Sequence, residues 1–207
     1  MYNTFTTKLA VDTKETPNQL TVVSKSFRDS IPVIRYAVTA YCNDTIYIFG
    51  GFIEDSISNT LYTIKPTIGT ITKVDTPLSH RMEAQMCVYN DELYVFGGRN
   101  DNEYPSDCWK FNTLMGTWTQ LAGNVKGRAG FSMNIANGKL FVFGGYRKKK
   151  FLNSMAVYDI SRNIWHEAVF EGAPECRANH AACVIDFDAH RLRRKKQGQG
   201  LRRRCLL

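Results

Sequence analysis

The stretch LYVFGG at Leu93–Gly98 is a short apolar run that ends on two glycines. It has two near copies, IYIFGG at Ile46–Gly51 and LFVFGG at Leu140–Gly145. Phe49, Phe96 and Phe143 are spaced 47 residues apart. Eleven residues past each second glycine stand Tyr62, Trp109 and Ala156, and nine further on stand Ile71, Trp118 and Trp165. An arginine precedes each phenylalanine by 14 or 15 residues, at Arg35, Arg81 and Arg128, and a fourth stands at Arg177. A period this regular means one supersecondary unit repeated, each copy unable to bury its apolar faces alone.

The local signals within a unit are those of β-structure. After each arginine comes an apolar-rich run, such as AVTAYC (Ala37–Cys42) or MCVY (Met86–Tyr89), and then a turn pair, Asn43-Asp44, Asn90-Asp91 or Asn137-Gly138. Asn-Gly favours a type I′ hairpin because both residues accept positive φ, and Asn-Asp is a weaker version of the same signal. The FGG run follows as a second strand, apolar at every position, which predicts burial of both its faces. Two glycines where one would end a strand predict a packing role, with another backbone or a large ring coming close. A loop of about ten residues then leads to a third strand (LYTIKP, CWKFN, AVYD) and a short turn to a fourth, carrying Trp118 and Trp165. Four antiparallel strands per unit, stacked radially, make a β-propeller.

Charge and cysteine usage limit the function classes. Residues 191–207 hold eight basic residues and no acidic ones; without them the 27 basic residues fall to 19, matching the 19 acidic ones. The body is therefore neutral and offers one basic cluster, Arg147–Lys150, so a nucleic-acid face on the body is not expected. No run approaches about 18 apolar residues, so no membrane span is expected. The N-terminus lacks a basic start followed by an apolar core, the mark of a secretory signal. None of the six cysteines forms a CxxC pair; Cys42, Cys87 and Cys183 sit in strand-like runs and read as small buried hydrophobes. From these features the chain is expected in a reducing compartment, cytoplasmic or nuclear.

The combination of FGG after a hydrophobic strand, an aromatic about eleven residues on, a tryptophan nine later and an arginine before the next unit resembles the kelch repeat. The segment Gly172–His180, GAPECRANH, resembles the kelch linker into a blade's first strand. The resemblance covers roughly residues 30–186 and departs from the pattern at Ile71 and Ala156. WD40 units, with a period of about 40–45 residues, are excluded because no Trp-Asp pair closes these repeats. The resemblance implies an all-β kelch-type propeller of four-stranded antiparallel blades, three complete at residues 36–75, 82–122 and 129–170, with partial blades flanking them. The expected organisation is a partial blade or extension at 1–30, the propeller at 31–186, and a basic, disordered tail at 187–207. Lys8–Asp12 and Leu20–Val23 read as outer strands of an earlier blade, and Ala181–Ile185 as the first strand of a later one. A fourth FGG is due near residue 192, where the chain reads DAHRLRRKK. The chain thus fits a truncated member of a larger ring, of five to seven blades in the kelch family, or a four-bladed ring.

Catalytic and metal chemistry find no footing. His80, His166, His180 and His190 lie apart, with no spacing that converges three ligands. Some kelch-like propellers are copper-radical oxidases or metal-dependent specifier proteins, but their ligand sets cannot be placed on these residues, and no GxSxG motif is present. No catalytic residue, metal or cofactor is assigned, and an enzyme on the same fold is the main alternative. The glycines Gly50, Gly51, Gly97, Gly98, Gly144 and Gly145, with Trp109, Trp118 and Trp165, read as framework. Arg35, Arg81, Arg128 and Arg177 either satisfy carbonyls or an acid between blades, or, as in some kelch proteins, contact acidic peptides near the channel mouth. The loops after each Gly-Gly break the symmetry: Glu54 and Asp55 in the first, Arg99, Asp101 and Glu103 in the second, Arg147, Lys148, Lys149 and Lys150 in the third. That acidic, mixed, basic series is either a graded face for other proteins or ordinary solvated loop variation. The tail is a nuclear-localisation or nucleic-acid segment, a lipid-binding segment (Cys205 does not meet the prenylation box), or a non-native continuation. The expected function is a non-catalytic protein-interaction module: by resemblance, a substrate adaptor for a ubiquitin ligase, a cytoskeletal binder or a signalling scaffold.

Overall fold

A computed structural model describes residues 10–11, 22–23, 30–169 and 172–185. Among these it is all-β. Three four-stranded antiparallel sheets follow one another along the chain, each a meander whose neighbours in space are neighbours in sequence. Blade one is Val38–Cys42, Thr45–Phe49, Leu61–Lys65 and Thr70–Val74. Blade two is Gln85–Tyr89, Glu92–Phe96, Cys108–Asn112 and Thr117–Leu121, and blade three is Ser132–Ala136, Lys139–Phe143, Met155–Asp159 and Ile164–Ala168. The first strand of blade two lies beside the first strands of both its neighbours. Upstream, Ala10–Val11 pairs antiparallel with Val22–Val23, inside the two runs read as outer strands of an earlier blade. The basic tail lies outside the described residues.

Each first hairpin turns where the sequence places it. Asn43 and Asp44, Asn90 and Asp91, and Asn137 and Gly138 all have positive φ, between 48° and 66°. Asn-Asp is therefore as good a left-handed pair here as Asn-Gly. Side-chain hydrogen bonds support the first turn, where Asn43 Nδ2 donates to Asp91 Oδ1 of the next blade at 2.9 Å.

The core lies between blades. One cluster joins Tyr47, Phe49 and Leu61 of blade one to Leu93, Val95 and Phe111 of blade two. The second joins Tyr94, Phe96 and Cys108 of blade two to Leu140, Val142 and Tyr158 of blade three. Glu92–Phe96 feeds both, Leu93 and Val95 on one face and Tyr94 and Phe96 on the other, and that is why the run has no polar alternation. In blade one only the face toward blade two is fully buried; Ile46 and Ile48 on the opposite face stay half-exposed. The tryptophans carry the packing from one unit to the next. Trp118 packs at a tilt against Phe111 at 4.9 Å and reaches Phe49 of the preceding FGG at 6.3 Å, while Trp165 lies 5.1 Å from Tyr158 and 5.0 Å from Phe96.

The two indoles differ in one respect. Trp165 Nε1 donates to the Ala122 carbonyl at 2.8 Å, whereas the buried Trp118 Nε1 has no acceptor among the described residues. Removing an N–H that has a partner leaves a partly buried carbonyl unsatisfied, but removing an orphan does not. Trp165→Phe should therefore cost about 1 kcal/mol more than Trp118→Phe, as measured by urea denaturation of the two variants.

Candidate functional site

Each second strand runs toward the Gly-Gly pair, so the glycines, the arginine linkers and the loops that follow Gly-Gly share one end of the blades. The Asn turns lie at the other end with the third-to-fourth turns, tied to them by Thr113 N–H donating to the Asp91 carbonyl at 3.1 Å. The loop-bearing end is the candidate site, and its floor is the junction between units. Gly51 N–H donates to the Arg81 carbonyl, Gly98 N–H to that of Arg128, and Gly145 N–H to that of Arg177, at 2.8–2.9 Å. The glycines thus receive the backbone of the next unit. A Cβ on Gly97 would stand 2.8 Å from the Arg128 carbonyl oxygen and 2.9 Å from the Phe131 ring.

The arginine side chains point back into their own unit. The Arg81 guanidinium is fully buried; it makes a two-pronged pair with Asp107 (2.7 and 3.0 Å), donates to the Gly97 carbonyl at 3.3 Å and is steadied by Ser79. Arg128 has no bonded carboxylate among the described residues; it donates to the Gly144 and Ser154 carbonyls, each at 3.2 Å, and burial pulls its guanidinium below the ordinary value. Arg177 is half-buried and donates from Nε to the Glu175 carbonyl at 3.1 Å. Arg35 does not share this place: it is exposed, with its guanidinium 5.3 Å from the Phe52 ring centre. It stands 14 residues before its phenylalanine instead of 15. A one-residue offset along extended chain sends a side chain to the opposite face, so Ile34 takes the register position of Arg81. Trp109 joins the Arg81 junction by donating Nε1–H to Asp107 at 2.6 Å.

The loops above this floor are more ordered than the sequence suggests. In blade one Phe52–Ile53 pairs with Ser56–Ile57, and in blade three Tyr146–Arg147 pairs with Lys150–Phe151, so each loop is a small hairpin standing on the blade. Lys148 and Lys149 form the blade-three turn with φ of 46° and 64°. In blade two the Asn100 side chain accepts from the Asn102 and Glu103 amides and caps the loop. Glu83 then ties two loops together. Its carboxylate accepts from Arg99 of the blade-two loop at 3.0 Å and from the Tyr146 hydroxyl of the blade-three hairpin at 2.6 Å. Burial and the Glu83 acceptor push the Tyr146 phenol up to about 12. Burial opposes the charge on Arg99, but the Glu83 carboxylate outweighs it and holds that guanidinium above its usual value. Replacing Glu83 with Gln should cost about 1–3 kcal/mol and raise hydrogen exchange in both loops, measured by mass spectrometry.

These contacts change the charge map. Arg99 is spent on Glu83, Asp107 on Arg81, and Arg147 donates to the Gly127 carbonyl at 3.0 Å. The side chains of Glu54, Asp55, Asp101, Glu103, Lys148, Lys149 and Lys150 are exposed and make no hydrogen bond or ion pair among the described residues. The tips therefore read acidic, acidic, basic, in place of acidic, mixed, basic. The sequence does not mark Glu83 as a site residue, because its loop partners lie 16 and 63 residues away. Its one local signal is its place two residues after a linker arginine, where Gly130 and Asn179 also stand at positive φ.

Among the described residues no three His, Cys, Asp or Glu side chains gather as a metal site. The sequence model of the KLHDC2/KLHL20/DRC7 Kelch-repeats domain matches residues 10–189. The chain belongs to the kelch-repeat family. Its sheets are kelch blades, and a kelch domain in general serves as a protein-interaction module, one that is usually non-catalytic. No curated protein matches the chain significantly.

Proposed function

We propose that this kelch domain is a non-catalytic scaffold or substrate adaptor that engages partner proteins through the loop tips at its glycine end. The observation that carries the reading is the separation of seven unpaired charges over a rigid floor: four acidic on the tips of blades one and two, three basic on the tip of blade three. Charges that already satisfy one another cannot attract a partner, and here the internal pairs Arg99–Glu83 and Arg81–Asp107 have been removed from the face. Complementary charge across an interface sets orientation and association rate more than affinity. A partner docking here would present basic groups toward blades one and two and acidic groups toward blade three.

The test is comparative capture of partners from the cell. Proteins cross-linked to the wild-type chain should be lost from a Lys148→Glu, Lys149→Glu, Lys150→Glu variant. They should be retained by Leu114→Ser, Met115→Ser, which alters exposed apolar residues on a third-to-fourth turn at the opposite end. Their association should weaken with added salt, because exposed charges are screened within about 8–10 Å at physiological ionic strength. Equal capture by the lysine variant would remove the loop tips from the interaction.

A further inference from the structure

Residues 177–185 begin a fourth unit on the flank of blade three. The Arg177 carbonyl accepts from Gly145 N–H at 2.8 Å, Arg177 N–H donates to the Leu152 carbonyl at 3.0 Å, and Asn179 N–H donates to the Gly130 carbonyl at 2.7 Å. The His180 ring packs edge-on to Phe143 at 5.6 Å and bonds Ser132 Oγ at 3.0 Å. The linker is therefore docked as the earlier linkers are. Since Arg177 lies 49 residues after Arg128, Ala181–Ile185 corresponds to the first strand Ser132–Ala136.

Yet Ala181–Ile185 is not a strand. The sequence marks it as one, and the structure shows no ladder and no backbone hydrogen bond for it among the described residues. The sequence that follows does not repeat the second strand of the other units. In each of the three blades five first-strand residues pair antiparallel with the run that ends in FGG. Here the corresponding positions, 188–192, read DAHRL, and arginines 193 and 194 stand where the glycines would be. Those residues bring charge to a buried strand, and Cβ atoms to positions where the earlier units admit a neighbouring backbone. Cys183, expected buried, is exposed, as are Val184 and Ile185 at 47% and 53%. Beside the segment lies a largely apolar cavity of about 240 Å³, lined in part by Phe141, Phe143, Met155, Ala182, Cys183 and Val184.

We propose that Ala181–Ile185 is a strand-addition site, taking an extended apolar segment of a partner protein as the second strand of the fourth unit. The occupant's chemistry follows from the three pairings the chain makes internally. It is a run of about five residues, apolar on both faces, that runs antiparallel to Ala181–Ile185 and exchanges main-chain hydrogen bonds with it. Unpaired strand edges readily accept such a segment, with backbone bonds supplying affinity and side-chain pockets the selectivity. The site lies on the flank of blade three and shares no residue with the charged loop tips.

The probe is a labelled peptide with the sequence of Glu92–Gly98, ELYVFGG, carrying added lysines for solubility, titrated into the full chain by fluorescence anisotropy. Saturable binding is expected, and Cys183→Pro, which removes an N–H outside the three blades, should weaken it at least about tenfold with an unchanged circular dichroism spectrum. Alternate peptide amides point to opposite edges of the added strand. N-methylation along one edge should therefore abolish binding and along the other leave it intact. Absence of saturable binding, equal binding by both N-methylated peptides, or full binding to Cys183→Pro would each overturn the proposal. The loop variant Lys148→Glu, Lys149→Glu, Lys150→Glu should bind the peptide as wild type does, which keeps this outcome separate from that of the charged face.

Discussion

Gly97→Ala is expected to destabilise the chain by about 2–5 kcal/mol, whereas Gly69→Ala, at nearly the same backbone angle, should cost only about 1–2 kcal/mol. Both glycines have positive φ, 65° and 70°, so both substitutions force an L residue into the left-handed region. They differ in what a new Cβ would meet. At Gly69 nothing lies within 4 Å, while at Gly97 the Arg128 carbonyl oxygen stands at 2.8 Å and the Phe131 ring at 2.9 Å. The carbonyl cannot retreat freely, because it accepts the Gly98 N–H that holds blade three's linker to blade two. Phe131 is buried against Phe96, so the ring cannot swing away without opening the cluster between the blades. Chemical denaturation of the two variants beside wild type gives the comparison. Equal losses would mean that the glycines serve backbone conformation alone.

Much of the fold was legible because the repeat supplies three readings of every position. Asn137-Gly138 identifies the hairpin turn and so interprets Asn43-Asp44, whose own signal is weaker. Trp118 and Trp165 likewise mark the fourth strand for blade one, where Ile71 stands. The same averaging misplaces Arg35, since a period tolerates a one-residue offset but a side chain does not: the guanidinium ends over Phe52 instead of in a buried junction. The net charge of a loop is not a local property of its sequence. Nothing within the loop of Arg99 reveals that its charge is taken up by Glu83, on a linker that the fold carries beneath it. Ala181–Ile185 fails for a related reason, because a strand is a property of a pair. Its sequence suits the inner edge of a blade, but burial and pairing need a neighbour that residues 188–192 do not resemble.

Arg81→Met should be the most damaging single change at the junctions, costing about 3–5 kcal/mol, against about 1–3 kcal/mol for Arg128→Met. The two arginines occupy equivalent places and differ in their partners. Arg81 neutralises Asp107, whose carboxylate also accepts the Trp109 N–H, while Arg128 bonds only carbonyls and the Ser154 hydroxyl. Removing Arg81 leaves a partly buried carboxylate without its counter-charge; removing Arg128 leaves neutral acceptors. The pH dependence separates this account from simple loss of packing. Burial alone would raise the Asp107 pKa, but the hydrogen bonds and charge of Arg81 outweigh it, and the carboxyl is held below its usual range. A depressed carboxyl contributes stability that is complete above the unfolded value of about 3.9 and is lost as pH falls through the folded value. Wild type should thus lose stability on the acid side through this group. In Arg81→Met burial dominates, the folded pKa rises, and the same acid range should cost less or become favourable. Urea midpoints measured from pH 6 down to pH 3 (a range of about three units around the carboxylate value) decide it: a flatter acid limb in Arg81→Met, matched by Asp107→Asn, supports the pair, and parallel limbs would assign the arginine a packing role only.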